Sequence, residues 1–363
     1  MAPEPTVSLK NLLSFGESEL AQLVKQLDWP PYRTGQILRW LYQRRVRSIA
    51  QMTDLSVKDR TRLSQIATIG RSMDCTLLRS SDGTRKLLIH LDDGLQIETV
   101  VIPDDDRLTL CVSTQVGCML DCAFCLTGTM GLKRNLKSYE IVDQVLTAQE
   151  QLTGAEKLTN LVFMGMGEPL ANIEALSAAV RCLTNKSWGL GWSPRRITVS
   201  TAGLASRLKD VAALGVNLAV SLNGTTDEQR RRLMPAASEI ATLKTLLAAC
   251  RRYPLPRGRR LTIEYVLLAG ENDQPADAVR LAKLAQGLRC KINLIPFNEF
   301  PGSGYRRPAE AAVLEFQERL KAHGLETFIR KSRGRDVLGA CGQLGKLASG
   351  GGSRALTQIE SRC

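Results

Sequence analysis

Cys118-Met119-Leu120-Asp121-Cys122-Ala123-Phe124-Cys125 is the stretch on which the reading of this chain turns. Three cysteines are separated by three and by two residues, with an aromatic just before the last. Iron–sulfur clusters are held by cysteine thiolates brought together on a short loop. A cubane has four irons and this loop supplies three thiolates. With no distant side chain completing the set, one iron stays open to a small chelating ligand, to which it can pass an electron. The competing reading is zinc, which takes four ligands in a tetrahedron, usually from two Cys-X-X-Cys halves. Only one such half stands here, and His90 and His323, the chain's two histidines, are both remote from it. A plain redox pair is the remaining alternative.

The loop sits at the start of an alternating pattern. Candidate strands are 108–113, 161–164, 197–200, 216–222, 261–268 and 292–297. Candidate helices lie around 139–151, 173–183, 205–214, 243–252 and 276–286, with a last one at 309–321. Ser138 followed by Glu140 reads as a capped helix start. Six β–α units imply a parallel α/β sheet, curved into a partial (β/α)6 barrel. In such folds chemistry collects at the C-terminal ends of the strands, and the cysteine loop follows the first strand.

Before the barrel, residues 1–72 read as a small helical module. Helical periodicity runs over 18–27, Trp29-Pro30-Pro31 breaks it, and a second helix is expected over 32–47, with Arg39, Arg44, Arg45 and Arg47 crowding its later half. Residues 73–104 carry three strand-like runs at 76–79, 85–90 and 95–102, with Asp82-Gly83 and Asp93-Gly94 as hairpin turns. The core domain is expected over 105–346, and residues 347–363, with Gly350-Gly351-Gly352-Ser353, as a flexible tail. The formal charge of +13 over 363 residues suits a polyanionic partner such as RNA or DNA. The start shows no signal-peptide pattern and no run is long enough for a membrane helix, so a cytoplasmic, reducing setting is expected. There the ten cysteines serve as ligands or reagents rather than staples.

Other polar groups fall at the strand ends: Gly165-Met166-Gly167-Glu168-Pro169, Ser200-Thr201-Ala202-Gly203, Ser221-Leu222-Asn223-Gly224 and Pro296-Phe297-Asn298. Each alone could be a turn or a helix cap. Together, above an open-iron loop, they suit a polar cofactor. These motifs, with Lys331-Ser332-Arg333-Gly334 and Ala340-Cys341-Gly342-Gln343-Leu344, resemble the RlmN/Cfr family of radical S-adenosylmethionine (SAM) enzymes, which methylate adenosine carbons in RNA. The resemblance covers about 9–346.

It implies that Cys118, Cys122 and Cys125 hold a [4Fe–4S] cluster. Gly167, Glu168, Ser200, Ser221, Leu222, Asn223 and Asn298 are then the SAM contacts, and two SAM molecules are used per turnover. Cys341 carries the methyl carbon, Cys111 is the second reactive thiol, a disulfide between them closes the cycle, and Glu98 accepts the proton. The implied activity is methylation of adenine C2 in 23S rRNA and tRNA; C8 of rRNA adenine is the alternative. A non-catalytic cluster-bearing RNA-binding protein would need neither Glu168, Cys111 nor Cys341. A radical SAM enzyme acting on a protein or metabolite sits less well with the basic charge. A flavodoxin-type electron donor and a monomer are expected. Asn223 stands where many members have histidine, and Ala236-Ala237-Ser238-Glu239 replaces an expected basic run.

Overall fold

The computed structural model describes residues 9–72, 74–346 and, as backbone, 359–362. The helical module comprises α1 (Glu17–Gln26), α2 (Tyr32–Tyr42) and α3 (Val57–Ser64). Helix α1 buries Leu20, Leu23 and Val24, and α2 buries Ile37, Leu38 and Leu41, so the helical period sets the packed faces. Ser56 caps α3 by accepting from the Asp59 N–H at 3.1 Å. Helix α2 stops five residues short of its expected end. The chain turns at Arg45, whose φ is 57°, and Arg47 reaches Glu150 of the barrel at 2.5 Å. The buried Arg71 completes the attachment, with Nε on Asp143 (2.8 Å) and Nη1 on Glu150 (2.5 Å).

One eleven-stranded sheet carries the rest. Its antiparallel part is β1 (Cys75–Arg79), β2 (Arg85–His90) and β3 (Gln96–Asp104), joined to β4 (Arg107–Cys111). From β4 the sheet turns parallel through β5 (Asn160–Phe163), β6 (Ile197–Thr201), β7 (Asn217–Ser221), β8 (Leu261–Leu267), β9 (Cys290–Pro296) and a short β10 (Thr327–Ile329). The strands neighbour one another in chain order. The six expected parallel strands are present, and β10 follows the last helix as a further one. Helices stand between the strands: α4 (Ser138–Glu150), α5 (Ile173–Thr184), α6 (Leu208–Leu214), α7 (Asp227–Leu233), α8 (Pro235–Ile240), α9 (Leu243–Arg252), α10 (Pro275–Ala285) and α11 (Glu310–Ala322). Of these, α7 and α8 were not expected.

The start of α4 departs from its sequence reading. Ser138 is the first helical residue rather than the cap. The Glu140 carboxylate does the capping, accepting from the Lys137 N–H at 2.7 Å, and also pairs with Arg134 at 2.8 Å. Within the expected tail, 347–358 and 363 lie outside the described residues, and β11 (Ile359–Arg362) pairs antiparallel with β1. No helix among the described residues is long and apolar enough to cross a membrane.

Candidate active site

The C-terminal ends of the parallel strands open into a cavity of about 150 Å³. One wall is the cysteine loop, delivered from β4 through Gln115 and Val116. The loop closes on itself where the Cys125 N–H donates to the Cys122 carbonyl (3.0 Å), and on α7 where the Ala123 N–H donates to the Leu233 carbonyl (3.0 Å). Leu120 and Phe124 pack with Leu233, Val266 and Phe297 into an apolar cluster beside it. Cys118, Cys122 and Cys125 all face the cavity as free thiols. Burial pushes the Cys118 thiol up to about 12 and raises Cys122 well above its ordinary value. The protein alone therefore does not hold the Cys118 and Cys122 sulfurs as thiolates; a coordinated metal would. Among the described residues no three His, Cys, Asp or Glu side chains are gathered closely enough for a single metal ion. Three free thiols share one wall, with a backbone N–H, that of Leu120, donating to Cys118 sulfur (3.5 Å), and they fit a multinuclear cluster with one open iron.

The opposite walls carry the polar strand-end residues. Glu168 is buried, with Oε1 accepting from the Leu170 N–H (3.0 Å) and Oε2 from the Ala202 N–H (2.8 Å). Desolvation outweighs these bonds and lifts its carboxyl to about 7. A cation in the cavity would restore its charge. Gly167, at φ +99°, brings the backbone so close to Gln115 that an added Cβ would lie 2.5 Å from the Gln115 Cβ. Ser200 and Ser221 line the same cavity with their hydroxyls 3.5 Å apart.

Asn223 and Asn298 also line it, but their side chains are engaged. Asn223, left-handed at φ 53°, accepts from the Val266 N–H (2.9 Å) and points its amide at Met234 Sδ (3.4 Å). Asn298 donates to the Cys341 carbonyl (3.1 Å). Leu222 is not in the wall; its side chain belongs to the main core, and its backbone N–H donates to the Glu264 carbonyl (2.9 Å).

Cys341 lies on an irregular segment that returns across the mouth. The Leu126 N–H donates to the Gly342 carbonyl (2.8 Å) and Thr127 Oγ1 to the Leu344 carbonyl (2.6 Å), so the segment is tied to the cysteine loop. Cys341 is surrounded by protein yet keeps open surface, because it faces the cavity. Cys111, at the end of β4, is buried beside it; desolvation pushes its thiol up to about 12, with the neighbouring Cys341 adding to the effect. Both are free thiols, so the disulfide implied by the sequence resemblance is not formed here. Glu98 stands outside the cavity wall, on β3, and reaches the segment through the Gly345 N–H at 3.1 Å. Burial raises its carboxyl above the ordinary value, against the pull of Lys86.

Two residues have a place in the site that sequence reasoning does not give them. Arg230 is fully buried under the mouth and ties the ends of β6 and β7 together, donating to the carbonyls of Leu222 (2.5 Å) and Ala202 (3.0 Å). It is the first of three consecutive arginines, and the other two are exposed. Arg330, just past β10, lines the cavity next to Cys341.

The high value at Glu168 has a measurable consequence. The native state binds a proton that the unfolded chain has lost, so stability falls as pH rises from about 4.5 to about 7 and the penalty is complete above that. Glu168→Gln lacks the ionisable group. Its stability relative to the wild type is expected to climb across that window by up to about 3 kcal/mol and then level off. Chemical denaturation at several pH values, both proteins free of cofactor, checks this; a pH-independent difference contradicts it.

Residues 112–282 match the radical SAM superfamily, and residues 10–69 match the ribosomal RNA large subunit methyltransferase N-terminal domain. The chain is 47% identical over 341 residues to the dual-specificity RNA methyltransferase RlmN of Anaeromyxobacter dehalogenans, covering 92% of this chain and 91% of that one. It is 49% identical over 331 residues to the protein of the same name from Geobacter sulfurreducens, covering 91% and 90%. In three dimensions it is similar to the crystal structure of a radical SAM methyltransferase from Sphaerobacter thermophilus. The TM-score is 0.86 at 40% identity, over 92% of this chain and 99% of that one.

Proposed function

Because the chain belongs to the RlmN family of radical SAM RNA methyltransferases, we propose that it methylates C2 of one adenosine in the peptidyl-transferase centre of 23S rRNA and of the adenosine 3′ to the anticodon in tRNAs. The observation that carries this reading is that Cys341 faces the cavity which the cluster loop lines, with Cys111, a second thiol outside that loop, buried beside it. A cluster-bearing protein that only bound RNA would have no use for them.

Adenine C2 is electron-poor and a weak nucleophile, so direct displacement at a sulfonium methyl is closed to it. A [4Fe–4S] cluster on Cys118, Cys122 and Cys125, with SAM held by Glu168, Ser200 and the neighbouring strand ends, supplies when bound the electron and the hydrogen-abstracting radical that the reaction needs.

The chain's own residues do the rest. Cys341 sulfur takes a methyl group by displacement, gives up one of its hydrogens, and presents the carbon radical to C2, so a carbon–carbon bond joins RNA to protein. One electron leaves the adduct, for which the cluster, when bound, would be the acceptor, and the C2 proton passes to Glu98. Cys111 then attacks Cys341 sulfur: the sulfur–sulfur bond forms, the sulfur–methylene bond breaks, and its electron pair takes a proton to complete the new methyl group. This is covalent catalysis with the protein as carrier.

The helical module and the arginines at 333 and 335 are taken as the RNA-binding surface, with the chain acting as a cytoplasmic monomer reduced by a flavodoxin-type donor. Phosphate contacts release counterions, so RNA affinity is expected to fall steeply between about 50 and 200 mM salt. A flat response in a filter-binding titration removes the electrostatic contact. The activity itself is tested anaerobically, with reconstituted cluster, SAM, reductant and a 23S rRNA fragment or tRNA, followed by digestion and mass spectrometry. 2-Methyladenosine is expected; 8-methyladenosine moves the chain to the C8-directed branch, and intact adenosine in every RNA rejects the reading.

A further inference from the structure

The segment bearing Cys341 is gripped by the antiparallel part of the sheet. At the β1–β2 turn, Ser80 Oγ donates to Asp336 (2.6 Å) and the Gly334 N–H donates to Asp82 (2.8 Å). Deeper in, Lys86 of β2 and Glu98 of β3 are diagonal neighbours on one face, since Leu88 is the residue directly opposite Glu98. Lys86 Nζ lies 3.3 Å from Glu98 Oε2 and donates to the Leu338 carbonyl at 3.3 Å. The same Glu98 oxygen accepts from the Gly345 N–H at 3.1 Å. Both side chains are buried, Lys86 to 2% and Glu98 to 5% exposure. One ion pair thus holds the segment on both sides of Cys341.

We propose that the Lys86–Glu98 pair is a latch on the Cys341 segment, with Lys86 as a positioning residue, and that a proton arriving on Glu98 opens it. The proposal rests on the reading that Glu98 receives the C2 proton. The attraction of a buried ammonium for a carboxylate and the charge-assisted bond from Gly345 both depend on the negative charge of Glu98. When the proton moves from C2 to that carboxylate, both grips weaken together. The segment loosens at the step where Cys111 must reach Cys341 sulfur. The charged groups facing Glu98 are Lys86 from the adjacent strand and Lys346 from the segment itself. Ser113, on the far side, donates only to the Glu98 backbone carbonyl (2.6 Å).

The first test needs neither cofactor nor RNA. Amide hydrogen exchange over 338–346 in the full chain is expected to quicken about tenfold in Glu98→Gln, which imitates the protonated acid, and equally in Lys86→Met. The double variant is expected to go no further, and Lys86→Arg to keep the protection. Unchanged exchange in Glu98→Gln overturns the latch, and that arm stands even where Lys86→Met fails to fold; additive effects overturn it too. The second test is the pH profile of single-turnover methylation. Lys86→Met is expected to move the acid limb to higher pH and Lys86→Arg to restore it, whereas a uniform loss at every pH overturns the positioning role. Failure of the wild-type chain to methylate any RNA would reject the function reading, and the exchange result would still decide the latch.

Discussion

Replacing Cys341 with alanine is expected to abolish RNA methylation, by on the order of 10⁴-fold or more, the scale seen when a covalent catalyst loses its reacting atom. The loss is chemical rather than structural. Asn298 holds this residue by its backbone carbonyl, and Leu126 and Thr127 hold the carbonyls of Gly342 and Leu344, so the segment keeps its ties when the sulfur goes. No protein–RNA adduct should form, because the atom that would join the RNA is missing. Digestion of RNA after an anaerobic reaction checks this directly. A variant that still produced methylated adenosine would sink the carrier role.

Cys111→Ala should fail later in the cycle and in the opposite way. The methylene can still reach the base, but nothing releases it, so one RNA per chain is expected to remain covalently attached and multiple turnover to fall by a comparable factor. The adduct should survive a denaturing gel and disappear in the double variant with Cys341→Ala. Cys111 is buried at the end of β4, where its carbonyl accepts from Thr99 Oγ1 at 2.6 Å. That bond is unaffected by the substitution, and removing one buried sulfur is expected to cost about 1 kcal/mol of stability. Free RNA bearing a new methyl group in this variant would remove the thiol from the release step.

Much of this site was legible in the chain because its signals are local. The cysteine spacing is a motif, and the strand–helix alternation from 108 to 321 is written in periodicity. The polar residues at the strand ends therefore fall on one edge by topology alone. What the sequence hid depends on partners distant along the chain. Arg230 reads as one of a charged run, yet only its side chain turns under the mouth, while Arg231 and Arg232 stay exposed. Lys86 follows Arg85 in a strand, and both are buried because each finds a carboxylate elsewhere, Glu98 for one and Glu156 for the other. Hydrophobic alternation carries no trace of such pairing. Strand β10 spans three residues, with Phe328 exposed, too short for a period to show. Asn223 offered a donor and an acceptor on paper; both turned out to be engaged within the protein, on Met234 and Val266.

The claim that Cys341 is the source of the new carbon can be put to one experiment. The chain is loaded anaerobically at Cys341 with a fully deuterated methyl group, then given unlabelled SAM, reductant and RNA for a single turnover, and the RNA is digested for mass spectrometry. The account expects the first 2-methyladenosine formed to carry deuterium from the protein. Unlabelled 2-methyladenosine from a chain that still holds its deuterated methyl on Cys341 would contradict it.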